Sequence, residues 1–172
     1  GGISEASAKA LGASPLVKPA PESYEILSSG IADGTFFPSE SIKSFNLDKV
    51  VKYATFFPGG FYSSSFGFFM NEDKWNKLSK QDQDAIWSVS GEDLARLAGR
   101  SWDAADRGGM EGLKAANVTM IEASPEFVAD VRKRTEPLVQ EWIKSANAKG
   151  VDGAKAWAEY QDELKKVAAA VK

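Results

Sequence analysis

Short runs of strand-forming residues alternate with short helical windows as far as Met70, and almost everything after Ser79 reads as helix. This alternation constrains the fold more than any other feature, because strands separated by helices build an α/β domain. Ser4 is positioned to cap a short helix through Leu11, with Gly12 as its stop. Residues 14–19 read as a strand. Pro21 and Glu22 open a helix that Gly30 ends, and residues 31–37 read as a second strand. Asn46 is positioned to cap a helix holding Leu47, Val50 and Val51. The apolar runs 53–57 and 64–70 are strand candidates parted by the loop signal Pro58-Gly59-Gly60.

Helix signals dominate the rest. Asn71 is a candidate cap for a short helix with Trp75 and Leu78, and Ser79 with Asp82 resembles a capping box. A long helix is predicted from Ser79 to about Lys114, strained or kinked near Gly108-Gly109. Residues 117–122 form another strand candidate. Ser124-Pro125-Glu126 then starts a helix that Pro137 should bend, and Asp152 caps the last one. The helical tail is longer than one small sheet needs, which suggests that it also covers something else. The expected organisation is an α/β lobe over 1–78, a long helical region over 79–116, and a strand with C-terminal helices over 117–172.

Composition bears mainly on chemistry. The 172 residues include no His and no Cys, which removes thiol nucleophiles, Ser-His-Asp triads, structural zinc and disulfides together. A net charge of −3, with Lys and Arg spread among acids, makes a nucleic-acid surface a poor fit. The longest apolar stretches fall well short of the roughly 20 residues that a membrane helix needs. No cofactor and no metal are expected. Gly59-Gly60 lacks the Lys-Ser/Thr of a phosphate loop and reads as a turn. Asp103 and Asp106 share one helix face, which reads as a solvated face. Asn117-Val118-Thr119 matches a glycosylation sequon, a pattern short enough to arise by chance.

The segment Thr35-Phe36-Phe37-Pro38-Ser39-Glu40 is unusual. It places two rings and a carboxylate at the end of a predicted strand, where α/β sheets tend to bind ligands. Alternating strand residues face opposite sides, so Phe36 and Phe37 cannot both enter one core. Phe56, Phe57, Phe68 and Phe69 read as ordinary core. Phe36, Phe37, Ser39 and Glu40, with Phe61, Tyr62 and Ser64 from the following loop, are the candidate ligand wall; no catalytic residue is assigned. The five arginines all fall at or after Arg96, so the aromatic part carries no guanidinium to clamp a carboxylate.

One ordered set of segments bears on identity. It runs from Ala10-Leu11-Gly12-Ala13-Ser14-Pro15 through Pro21-Glu22-Ser23-Tyr24-Glu25-Ile26-Leu27, Ala32-Asp33-Gly34 and Phe37-Pro38. Val50-Val51-Lys52-Tyr53 and Met70-Asn71-Glu72-Asp73-Lys74-Trp75 follow. In order and spacing it resembles the second half of the solute-binding subunits of tripartite ATP-independent periplasmic (TRAP) transporters, the dicarboxylate type. The resemblance implies one lobe of a two-lobed periplasmic-binding-protein-like α/β fold, with a lobe-spanning helix and a helical C-terminal tail. It implies a periplasmic protein that captures a small-molecule organic acid and delivers it to membrane permease subunits. It also implies an upstream arginine that holds the ligand carboxylate, so the chain is expected to be a fragment without its first lobe. Such a fragment would bind weakly and could self-associate. Many members carry Asn where Phe37 stands, and sialic-acid-type members carry Phe where Ala20 stands. Both departures favour a ligand with an apolar or aromatic body. Two other readings remain: an α/β module whose rings bind a protein, and a hydrolase using carboxylates alone.

Overall fold

A computed structural model describes residues 1–170 of the chain. They form a helix-rich α/β structure in two compact units: residues 18–123, and Gly1–Val17 with the chain from Ser124 onward.

The larger unit is organised around two parallel strands. Strand β1 (Tyr53–Phe56) pairs with β2 (Thr119–Glu122) in the register Tyr53 to Thr119 through Phe56 to Glu122. Thr119 N–H donates to the Lys52 carbonyl and Ala123 N–H to the Phe56 carbonyl, which extends the ladder at both ends. Parallel strands require a long crossover. Here it contains the aromatic loop, α4 (Glu72–Trp75), α5 (Lys80–Ser88) and α6 (Glu92–Ala115). Before β1 come α2 (Ser23–Ser28) and α3 (Glu40–Ser44).

Several predicted strands are not strands. Residues 14–19, 31–37 and 64–70 are extended or bent but join no ladder. Apolar patterning marks a segment able to pair and does not supply the partner whose N–H and C=O groups complete it. The core reading of Phe68 and Phe69 fails with the strand, because they are 89% and 94% exposed. Asn46 does not cap a helix with its side chain. It adopts the left-handed conformation at φ 54° that Asn tolerates, and a single 3₁₀ turn, Leu47–Lys49, follows.

The long helical region is two helices. Gly91 (φ 65°) breaks it between α5 and α6. Helix α6 runs unbroken through Gly108 and Gly109, and α3 packs against it. A Cβ on Gly109 would stand 1.8 Å from the Ser39 carbonyl oxygen, and one on Gly112 would stand 2.8 Å from Lys43 Cε. Leu113, on the same face, is buried, as are Leu47, Val118 and Ala123. These residues form the core of the unit.

The helix starts follow their caps. Asn71 Oδ1 accepts from Lys74 N–H, and Ser79 Oγ accepts from Asp82 N–H while donating to Asp82 Oδ2. Ser79→Ala is expected to cost about 1 kcal/mol, read as a lower urea midpoint; an unchanged midpoint would mean that α5 does not depend on this cap.

In the smaller unit, α1 (Gly2–Ala10) packs on α7 (Pro125–Ala148), and α7 packs on α8 (Gly153–Ala170). Ser4 is not the cap of α1. The helix begins two residues earlier, and the Ser4 hydroxyl donates to the Gly1 carbonyl. Ser124 does cap α7, accepting from Phe127 N–H. Hydrogen bonds from the Glu126 backbone N–H and the Ser124 hydroxyl hold the Glu126 carboxyl below its ordinary range. The α7–α8 turn is tight. Gly153 N–H donates to Asn147 Oδ1, Asp152 Oδ1 accepts from Lys155 N–H, and Trp157 meets Trp142 at 6.1 Å.

Candidate functional site

The largest ring cluster of the larger unit gathers around Phe61; Phe37 with Phe45, Phe66 with Trp102, and Trp75 with Trp87 form separate pairs. Phe36, on the extended stretch before α3, meets Phe61 at 4.8 Å between ring centroids. Phe61 also meets Phe57 at 5.0 Å and Tyr62 edge-on at 6.1 Å. The turn Pro58-Gly59-Gly60 makes this possible. Gly59 and Gly60 both take positive φ, and Gly60 N–H closes the turn on the Phe57 carbonyl, which brings rings on either side of it together. Tilted and edge-on contacts at these separations are the favoured aromatic geometries. The cluster is half-buried and Phe36 keeps 39% of its surface open, so it is a wall with a free side and not a closed core. Burial raises the Tyr62 hydroxyl above the ordinary tyrosine range, so it stays a neutral phenol able to donate a hydrogen bond.

The remaining candidates lie elsewhere. Phe37 packs on Phe45 at 5.6 Å. Ser39 sits at the N-terminus of α3, where its side chain makes no capping hydrogen bond and its carbonyl faces Gly109. Glu40 is turned inward on its own helix: its carboxylate accepts from the Ser41 hydroxyl at 2.5 Å and the Ser44 hydroxyl at 3.0 Å. Ser64 is exposed in the extended stretch after Tyr62. Phe36, Phe61 and Tyr62 are therefore brought together, joined by Phe57, which the sequence reading had assigned to the core.

Sequence reasoning also missed Asp106. It is half-buried, and its Oδ1 accepts from Glu40 N–H at 2.8 Å, so it does not belong to a solvated face. The usable signal was the spacing Asp106, Gly109, Gly112: one acid and two glycines three residues apart, which mark a helix face where another backbone comes close. Asp106 is a second carboxylate near Glu40, but both are engaged in holding α3. Among the described residues no group of three or more His, Cys, Asp or Glu gathers as a metal site, and no helix is long and apolar enough to cross a membrane.

A concavity of about 380 Å³ lies at the α5–α6 elbow between Val89, Leu97 and Arg100. It shares no residue with the aromatic wall.

Residues 2–145 match the family described as bacterial extracellular solute-binding protein, family 7 (DctP). The fold is similar to a TRAP periplasmic solute-binding protein from Bordetella bronchiseptica solved with bound (R)- and (S)-mandelate. The TM-score is 0.90 at 47% identity, over 97% of this chain and 53% of that one. A marine metagenome TRAP solute-binding protein specific for aromatic acid ligands, solved with metahydroxyphenylacetate, matches at TM-score 0.78 and 31% identity over 94% of this chain and 51% of that one. The outer membrane transporter protein TsaT of Comamonas testosteroni is 28% identical over 156 residues, 90% of this chain and 46% of that protein. The chain thus spans about half the length of these relatives.

Proposed function

Because the chain belongs to bacterial extracellular solute-binding protein family 7, we propose that the protein carrying it captures an aromatic carboxylic acid in the periplasm and delivers it to a TRAP membrane permease. The observation that carries this reading is the ring cluster in which Phe36, from the stretch before α3, meets Phe57, Phe61 and Tyr62 of the turn after β1. A flat ligand ring gains most from a wall of tilted rings, against which it can stack or stand edge-on. The Tyr62 phenol, a neutral hydroxyl whose ionisation burial makes still harder, adds a donor for a ligand hydroxyl or carboxylate oxygen. The wall holds no cation, so it recognises the body of the ligand and leaves the carboxylate to another group. The solved relatives agree in ligand class: one holds mandelate and the other metahydroxyphenylacetate.

The proposed role is binding without turnover. The chain has no His or Cys, and the two carboxylates beside the wall segment are both occupied in α3. Capture between lobes, with closure presenting a surface to the permease, is the mechanism such a binder would use.

A thermal-shift screen of the full protein tests this reading. Mandelate and metahydroxyphenylacetate are expected to raise the midpoint, and sugar acids and succinate are not. Phe61→Ala is expected to weaken mandelate binding about tenfold in calorimetry, since Phe61 touches each of the other three rings. A shift with sugar acids or succinate alone would sink the proposal.

A further inference from the structure

We propose that Asp106 and Gly109 of α6 are positioning residues for the aromatic wall: by gripping the first residues of α3 they fix where Phe36 meets Phe61. The inference rests on the ligand reading above for its functional meaning and on α3–α6 geometry for its substance.

Phe36 lies on a stretch with little support of its own. Among the described residues no backbone–backbone hydrogen bond involves positions 33–37. Apart from the Phe36–Phe61 ring contact, its backbone is hydrogen-bonded at its ends: upstream where Ile31 and Ala32 donate to the Ile26 carbonyl, and downstream at α3. The downstream tie is rigid. Ser41 N–H closes on the Pro38 carbonyl, and Phe37 packs on Phe45 just past the helix. A displacement of α3 therefore moves Phe36.

Side chains and backbone of α6 set the place of α3. Asp106 Oδ1 takes the Glu40 N–H, one of the donors that a helix start leaves unsatisfied, in a charge-assisted hydrogen bond of 2.8 Å. One turn later Gly109 lets the Ser39 carbonyl approach so closely that no Cβ fits between them. A turn beyond that, Gly112 receives the aliphatic stem of Lys43. Asp106 fixes α3 by attraction and Gly109 by the absence of bulk. Both act on Ser39 and Glu40, which Pro38 alone separates from the Phe36–Phe37 pair.

The test compares Asp106→Asn, which keeps an acceptor oxygen, with Asp106→Leu, which removes it at similar size, both in the full protein. Calorimetry with (R)-mandelate and with metahydroxyphenylacetate reads the wall. Asp106→Asn is expected to stay within about twofold of wild type for both acids. Asp106→Leu is expected to bind about tenfold more weakly with the number of sites unchanged, and to shift the ratio of the two Kd values about threefold, because a displaced wall fits the two rings differently. If Asp106→Leu lowers only the number of sites and leaves Kd and ratio as in wild type, the residue merely supports folding and the proposal is overturned. A ligand-free reading separates the two ideas. The Tyr62 ionisation, isolated by difference against Tyr62→Phe, is expected to fall toward the ordinary tyrosine value in Asp106→Leu and to stay raised in Asp106→Asn. If wild type binds neither acid, the ligand reading fails and this titration alone decides: a Tyr62 unmoved by Asp106→Leu overturns the positioning role.

Discussion

Gly109→Ala is expected to destabilise the protein by about 3 kcal/mol, while Gly108→Ala, one residue earlier, is expected to stabilise it by up to about 1 kcal/mol. Both glycines lie inside α6, and alanine is the better helix former at both. They differ in their surroundings. A Cβ at 108 meets nothing within 4 Å, whereas at 109 it would fall 1.8 Å from the Ser39 carbonyl oxygen and 2.4 Å from the carbonyl carbon. Those are backbone atoms and cannot rotate aside. The whole of α3 must shift, which strains the Asp106–Glu40 hydrogen bond and the burial of Leu113 together. The cost is therefore that of overpacking a well-filled site. Urea unfolding of the two variants gives the answer, and equal midpoints would show that α3 does not press on α6.

The second large effect is expected at Leu47. It is 0% exposed, so Leu47→Ala removes buried methyl groups and leaves a cavity, at a cost of about 3 kcal/mol. Leu113 is the other large side chain so completely enclosed among the described residues. Leu97 is the matching control. It is 55% exposed on α6, and Leu97→Ala is expected to stay within about 0.5 kcal/mol of wild type. A Leu47→Ala midpoint as close to wild type as that of Leu97→Ala would mean that the core is centred elsewhere.

What could be read from sequence was local. Asn71, Ser79, Ser124 and Asp152 mark helix starts because a cap and the N–H it accepts from lie within one turn. Phe36, Phe61 and Tyr62 could be singled out because they stand next to turn signals, where rings cannot all enter a core. What could not be read depended on distant partners. Residues 31–37 and 64–70 carry strand patterning, yet nothing within them tells whether a neighbour lies alongside. Asp106 resembles any surface acid until Glu40 is placed beside it. Helix α3 was hidden for the same reason: five residues following Pro38 have little helical propensity to show, and packing on Gly109 and Gly112 stabilises them.

The α3–α6 contact also bears on the order in which the unit can fold. Asp106 lies 66 positions after Glu40, and the first rung of the sheet, Tyr53 to Thr119, spans the same separation. The two contacts interleave along the chain, so once the first has formed only 13 residues on each side separate it from the second. Forming a contact over such a distance carries an entropic cost that grows only with the logarithm of loop length, and it arises once. When α3 has settled on α6, the remaining path between β1 and β2 is short, so bringing the strands together costs far less than closing the full separation. A two-stranded parallel ladder of four rungs, slow to nucleate by itself, is thus reached through a short closure once a helix of five residues has docked.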